Sequence, residues 1–376
     1  MPTVANEQFD YIRIDTGGGV FTNRDLEARS ITGTSFSVIE GTDDFLYLGD
    51  DAKFDMAIFD IDTAGSYTAP LKYEYFNGST FKEFIPDTQE FNFNRDDGGT
   101  YEGEAYGFAG DGVEIFPNNL ISDWATVAIN SSTKYWIRVT AASVATAPTI
   151  KRIQMRPVNA YCTTQDVFDL IQLTNVTSTT DFTTATIPTK KTVEQYIEAA
   201  QSKIDFRTRK SWRPNYITDE YHDFNLNGFK LRRNDAYKVL SVHIWSGSGF
   251  EKKNEGRTGD FFLTPDVGVV NFSRYFLLPA RFQSYNAPVW RFGGGEFTNP
   301  IRVSYLYGRD VNMNPQESGM VYDMAKKLAA IDVLRSSDFG QLVVSGADRI
   351  QLMQKVEGWN MEVEDKLDSL RAFEVF

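Results

Sequence analysis

Cysteine and histidine are nearly missing from this chain: its 376 residues contain one cysteine, Cys162, and two histidines, His222 and His243. A lone cysteine forms no internal disulfide and has no partner for a thiolate metal site. Two histidines cannot build a histidine-rich site either, so neither a metal nor a cofactor is expected. Long apolar runs are also missing. None approaches the roughly 20 residues of a membrane span, and no membrane partner is expected. The first 21 residues lack a basic start followed by an apolar core, so no secretory signal is read. Positive charge is short as well: 38 Lys and Arg stand against 51 Asp and Glu, a net charge of −13. The shortfall is concentrated, with 24 acidic and 12 basic side chains in residues 1–160 and a near balance of 27 to 26 beyond them. This asymmetry predicts a boundary near 160. An acidic first part repels phosphates, which argues against its nonspecific binding to nucleic acid. Soluble synthesis in a reducing compartment is the expectation.

What is present is ordinary material for packed domains. At 41% hydrophobic and 24% charged residues, wholesale disorder is excluded, and the length predicts two or three units. Residues 1–156 read as all-β, a sandwich or jelly roll. Short alternating or aromatic runs recur at 9–14, 35–39, 45–48, 56–61, 72–76, 125–129, 135–139 and 150–155, separated by Gly, Asp and Asn clusters.

Near Pro157 the pattern changes. Thr163-Thr-Gln-Asp166 opens a short helix carrying Val167, Leu170 and Ile171. After a Thr/Ser-rich loop, Thr192-Val-Glu-Gln195 reads as a capping box for a helix with Val193, Tyr196, Ile197, Ala200 and Ile204 on one face. Strand patterning returns from about 220 to 310 and ends in Ile301-Arg-Val-Ser-Tyr-Leu-Tyr-Gly308. Asn314-Pro315-Gln316-Glu317 then marks a helix start, with Val321, Met324, Leu328, Ile331 and Leu334 as its stripe. The expected architecture is therefore multidomain. An N-terminal sandwich (1–156) precedes an α+β domain (157–340), a helical core with a β subdomain inserted at about 220–310. A tail helix (341–376) closes the chain.

The motifs of common catalysis are not found. Gly107-Phe-Ala-Gly-Asp-Gly112 lacks the strand-to-helix setting of a phosphate cradle. Ser248 sits in Ser-Gly-Ser-Gly, turn chemistry rather than a nucleophile elbow. The acid pairs Asp43-Asp44, Asp50-Asp51 and Asp96-Asp97 read as loop carboxylates, and no EF-hand spacing occurs. No enzymatic activity is expected. Two features point instead to binding. One is a basic cluster, Arg207, Arg209, Lys210 and Arg213, suited to meeting carboxylates of a neighbouring subunit or to capping a helix end. The other is the tail helix, with Ile350, Met353, Val356, Trp359, Val363, Leu367, Leu370 and Phe373 along it. Alone in water such a helix is marginal, so it packs on its own domain or docks on a partner. Gly358 and Asn360 predict a bend or a shorter helix.

The paired helices at 161–171 and 193–205, followed by the strand at 301–308 and the capped helix at 315–334, resemble tailed-bacteriophage head–tail adaptor (head-completion or connector) proteins. The resemblance lies in element order across about 160–340, and it implies a structural virion protein of the neck, assembled in the host cytoplasm. It further implies a homo-oligomeric ring, twelvefold, that joins the portal protein to tail and neck proteins and lets DNA pass through its lumen. By the same resemblance the segment after 340 engages the portal. The first domain is similar to β-sandwich modules of phage neck, tail and fibre proteins, through Lys72-Tyr-Glu-Tyr-Phe-Asn-Gly-Ser-Thr-Phe81 and Tyr135-Trp-Ile-Arg-Val139. That likeness implies the alternative of a carbohydrate-binding baseplate or tail-fibre protein. Trp136 and Tyr135 themselves read as core and edge residues.

Overall fold

A computed structural model describes the chain except residues 1–7, 30–32, 68, 70, 85, 91–107, 109–111, 116–122, 172–180, 224–227, 246–249, 257, 266, 274–299, 309–314, 337–346 and 373–376. The N-terminal strands are β1 (Tyr11–Asp15), β2 (Phe21–Asn23), β3 (Phe36–Ser37), β4 (Phe45–Asp50), β5 (Phe54–Thr63) and β6 (Leu71–Phe76). They continue with β7 (Phe81–Phe84), β8 (Asp87–Glu90), β9 (Gly112–Ile115), β10 (Thr126–Ile129), β11 (Ser132–Ala141) and β12 (Thr149–Pro157). One short helix, α1 (Asp25–Arg29), interrupts them. They form a 7-stranded sheet ordered β2-β1-β4-β11-β6-β7, with β10 on β11, and a 5-stranded sheet ordered β3-β12-β5-β9-β8. Alternation explains the core between them. Ile12 and Ile14, Leu46 and Leu48, Tyr73 and Tyr75, and Ile137 and Val139 point inward from the first sheet. They meet Phe54, Ala57, Phe59, Ile150, Ile153 and Met155 from the second. The sandwich stands where the patterned segments were read.

The later strands are β13 (Asn215–His222), β14 (Gly228–Lys230), β15 (Ala236–Trp245), β16 (Phe250–Lys253), β17 (Phe261–Thr264), β18 (Val269–Phe272) and β19 (Ile301–Tyr307). They make two further sheets, β13-β19-β15-β16 and β14-β18-β17, around Val242, Val270, Val303 and Tyr305. This β segment had been expected to belong with the helices. By contacts it groups instead with the sandwich: Glu7–Arg156 and Asn215–Tyr307 form one compact unit. The cause lies in β5, whose run Met56-Ala-Ile-Phe59 is buried on both faces. Ala57 and Phe59 enter the sandwich core, while Met56 and Ile58 pack with Leu306, Tyr216, Tyr237 and Leu240. Arg156, held by Asp55 with Nε 2.7 Å from Oδ1 and Nη2 3.1 Å from Oδ2, donates from Nη1 to Asn215 Oδ1 at the start of β13. Lys238 lies 3.1 Å from Asp60.

The helices form the second unit, Pro157–Pro214 with Gly308–Phe376. They are α2 (Thr164–Leu170), α3 (Lys190–Thr208), α4 (Pro315–Arg335) and α5 (Ala347–Ala372). Helix α2 begins with a reciprocal capping box between Thr163 and Asp166. Helix α3 starts three residues earlier than the Thr192 reading, because Thr189 Oγ1 accepts the Thr192 N–H and so occupies the cap. Its end is left-handed at Arg209 (φ 57). The capping residue read for α4, Asn314, lies outside the described residues. Helix α5 runs unbroken through Gly358 and Asn360, which corrects the expectation of a shorter helix interrupted there: tertiary packing outweighs the ~1 kcal/mol propensity cost of one glycine. The chain leaves for its β excursion after Pro214 and returns at Gly308. That glycine is obligatory, since φ is +109 and an added Cβ would stand 2.2 Å from the Arg213 carbonyl oxygen.

Candidate assembly surfaces

In the helical unit one core joins all four helices: Val167 and Phe168 of α2, Val193, Ile197 and Ile204 of α3, Val321, Met324 and Ala329 of α4, and Val363, Leu367 and Leu370 of α5. A buried polar knot ties the entry of the chain to the end of α3. The Tyr161 hydroxyl donates to Asp205 and accepts the Trp212 N–H at 2.8 Å. Ser211 Oγ donates to the other Asp205 oxygen at 3.2 Å. Burial, with the Asp205 charge beside it, pushes the Tyr161 phenol far up, so it stays a donor at any working pH. Helices α4 and α5 are pinned by four charges. Lys327 and Lys366 each reach both Asp323 and Glu362, at 2.6–2.8 Å. Half-exposed pairs of this kind are worth little singly, but four in one network fix the register of α5 on α4.

This geometry corrects the docking expectation for the tail helix. Val356, Val363, Leu367 and Leu370 are 2% exposed or less, and Trp359 packs against the same core. That face belongs to the chain's own fold and is not available to a partner. The side chains of Ile350, Met353 and Phe373 lie outside the described residues. The ring-interface residues do not gather into one patch. Arg207 Nη2 pairs with Glu364 Oε2 of α5 at 2.7 Å, Lys210 is buried, and Arg213 lies 3.9 Å from Asp205. Arg209 alone of the four is exposed.

A second surface is the outer face of the 7-stranded sheet, which alternation fills with aromatic and charged side chains. Register aligns Arg13, Tyr47, Arg138 and Glu74 across β1, β4, β11 and β6. The Arg138 guanidinium is stacked between Phe81 (4.0 Å) and Phe45 (4.9 Å) and pairs with Glu74 at 2.7 Å. Trp136 is fully buried on this face, its ring over Gly49, where a Cβ would come within 2.3 Å. Its indole N–H donates to the Val127 carbonyl at 3.0 Å. Tyr135, one residue earlier, faces the core. The sequence reading of both as structural residues agrees with this placement. Tyr11, Phe21, Phe45 and Phe81 remain half-buried around them.

At the end of β4, on the core side of the sheet with its register partner Tyr135, Asp50 is buried. Burial, then the charges of Asp10 and Asp51, push its carboxyl up to about 7 against the opposing N–H donors of Ala52 and Asp10. A carboxyl that binds its proton more tightly folded than unfolded favours the fold at low pH, and this contribution is lost as pH rises through 7. Asp50→Asn is therefore expected to flatten the fall of stability between about pH 4 and 7, by up to ~1.4 kcal/mol per pH unit. Urea unfolding at pH 5 and pH 7.5 reads this directly; equal slopes in both proteins would refute it.

Of the motifs set aside on sequence, Asp43 is exposed and Asp44 caps its own loop by accepting the Glu40 and Gly41 N–H groups at 2.8 Å. Asp96, Asp97, Gly107 and Ser248 lie outside the described residues. Among the described residues no cluster of three or more metal-ligating side chains occurs, and no helix is long and apolar enough to cross a membrane.

No protein-family model and no curated protein matches this chain. Among solved structures it is similar to a chitosan-binding module derived from a chitosanase/glucanase of Paenibacillus sp. IK-5. Identity is 11% over 41% of this chain and 98% of that one, with a TM-score of 0.23. It is also similar to a chain of the virion of a native gene transfer agent particle, at 16% identity over 45% of this chain and 77% of that one, with a TM-score of 0.25. Both scores are too low to establish a shared fold.

Proposed function

We propose that this chain is a structural, non-enzymatic virion protein: a head–tail adaptor that assembles into a neck ring between portal and tail. The observation that carries the reading is the split helical core. Helices α2 and α3 before the β excursion and α4 after it share one apolar interior, in the element order that the adaptor resemblance implies. A ring of repeated weak contacts gains its strength from avidity rather than from any single site. The buried stripe of α5 changes one part of this reading, because portal engagement then falls to surfaces other than Val356–Leu370.

Electron microscopy of the purified protein, together with its co-sedimentation on portal-bearing heads, tests the proposal. Rings, or monomers that join the portal, are expected. A stable monomer with no portal affinity would sink it. One observation favours a second reading, glycan binding by the sandwich: the half-buried Tyr11, Phe21, Phe45 and Phe81 gather on one sheet face. Strong host-glycan binding without portal interaction on a glycan array would favour that alternative.

A further inference from the structure

Two surfaces of the helical unit are built in ways that its own core does not require. On α3 the core positions are Val193, Ile197, Ala200 and Ile204, so at 100° per residue Ala199, Ser202 and Phe206 fall on the far side. Phe206 is 80% exposed there, a bare ring beside exposed Lys203 and Arg209. Burying such a ring is worth about 1.5–3 kcal/mol. Ser202 and Ala199, one and two turns before it, are small enough for another helix to lie close.

On α5 the core positions are Val363, Leu367 and Leu370, and Met361 lies opposite them, 66% exposed. Glu357, Asp365 and Asp368 share that outer face and are exposed too. So does Gly358, where an added Cβ would meet nothing within 4 Å. A glycine inside a helix costs about 1 kcal/mol relative to alanine, and no close approach among the described residues uses the space it leaves.

The two faces complement each other. One presents cations around a phenyl ring, the other carboxylates around a thioether, which packs well on an aromatic edge. Both are turned away from the core that α3 and α5 share, so neither is the other's partner within one copy. The geometry points to a second copy of this chain as the occupant: α3 of one subunit lies against α5 of the next, with Phe206 against Met361 and Gly358, and Lys203 and Arg209 facing Glu357, Asp365 and Asp368. Such a contact joins two different patches and is head-to-tail, the type that closes into rings when its rotation allows. The inference rests on the ring reading and names its subunit contact, replacing most of the basic cluster that the sequence suggested.

Two single-site proteins, Ser202→Cys and Gly358→Cys, test it when mixed with a short bis-maleimide, one carrying a larger tag. Native Cys162 is buried and does not compete. The mixed cross-linked pair is expected to exceed either same-site pair at least tenfold. In parallel, Phe206→Ser and the double variant K203E/R209E are expected to weaken self-association at least tenfold by sedimentation. Phe206→Ser should leave melting unchanged, because the ring is exposed; K203E/R209E also loses the attraction of Lys203 for Asp332 of α4, so its self-association is compared at a temperature where both proteins are folded. Mixing K203E/R209E with E357K/D365K should restore assembly. Same-site pairs only, or assembly indifferent to charge reversal, would overturn this contact and leave the ring reading standing. A wild-type chain that stays monomeric even on portal-bearing heads would overturn both.

Discussion

Leu367→Asp is expected to destabilise the helical unit by at least ~5 kcal/mol, comparable with the whole stability of a typical domain. Leu367 is fully buried between α5 and the core of α3 and α4. Truncating such a leucine costs about 2–5 kcal/mol, and an unpaired carboxylate in the same place adds a desolvation penalty of several more. Circular dichroism on heating should show the helical transition lost at room temperature. Met361→Asp, on the opposite face of the same helix and 66% exposed, should move stability by no more than ~0.5 kcal/mol. The pair separates two views of the C-terminal segment. A detachable docking tail would tolerate Leu367→Asp with unchanged melting and lose only its partner. An integral helix would not tolerate it.

The two views could not be separated from sequence, and the reason is physical. An apolar stripe records that a face is buried, not whose surface buries it. The same i, i+4, i+3 spacing through Val363, Leu367 and Leu370 serves an intramolecular core and a docking helix alike. Charge held the missing information: Lys327 and Lys366 match Asp323 and Glu362 across α4 and α5, but pairings 35 and 43 residues apart in sequence are among many that the composition allows. The β5 strand is the opposite case. Its unalternating Met56-Ala-Ile-Phe59 signals burial on both faces, a sign that the sandwich has more than one neighbour. The run itself names no second neighbour, so the β excursion and the sandwich do not declare their grouping in sequence. Local chemistry was the most legible. The Thr163–Asp166 capping box lies where the side chains put it, whereas at α3 two threonines three residues apart, Thr189 and Thr192, both suit a cap and Thr189 holds it. Short strands such as β2 and β7, of three and four residues, are too brief to leave a periodic trace. Phe206 was legible in principle: the stripe through Ile197 and Ile204 places it in water, and a phenylalanine there calls for an explanation.

The largest effect in the β excursion is expected at Glu220. Its carboxylate, 3% exposed, accepts the Tyr305 hydroxyl at 2.7 Å and the Arg232 N–H at 2.9 Å, and lies 2.6 Å from His222 Nε2. His222 in turn stacks on Phe229, with centroids 4.6 Å apart. One side chain thus ties β13 to β19 and to the chain just after β14. Glu220→Ala leaves the hydroxyl and the amide without their acceptor and removes the carboxylate beside the imidazole, at an expected cost of about 3–5 kcal/mol. Glu220→Gln, which keeps the shape but loses the charge, should cost less. The pH dependence follows from the same contacts. Burial alone would raise this carboxyl, but the contacts from His222, Tyr305 and the Arg232 N–H outweigh it and hold the group below its ordinary range. A carboxyl depressed on folding contributes stability that is fully present above the ordinary carboxylate range and is lost as pH falls below about 4 through the folded value. The wild type should therefore lose stability on its acid limb faster than Glu220→Gln, and the gap between the two should narrow toward pH 3. Parallel acid limbs in chemical unfolding would show that the charge of Glu220, as distinct from its shape, contributes nothing to holding these strands together.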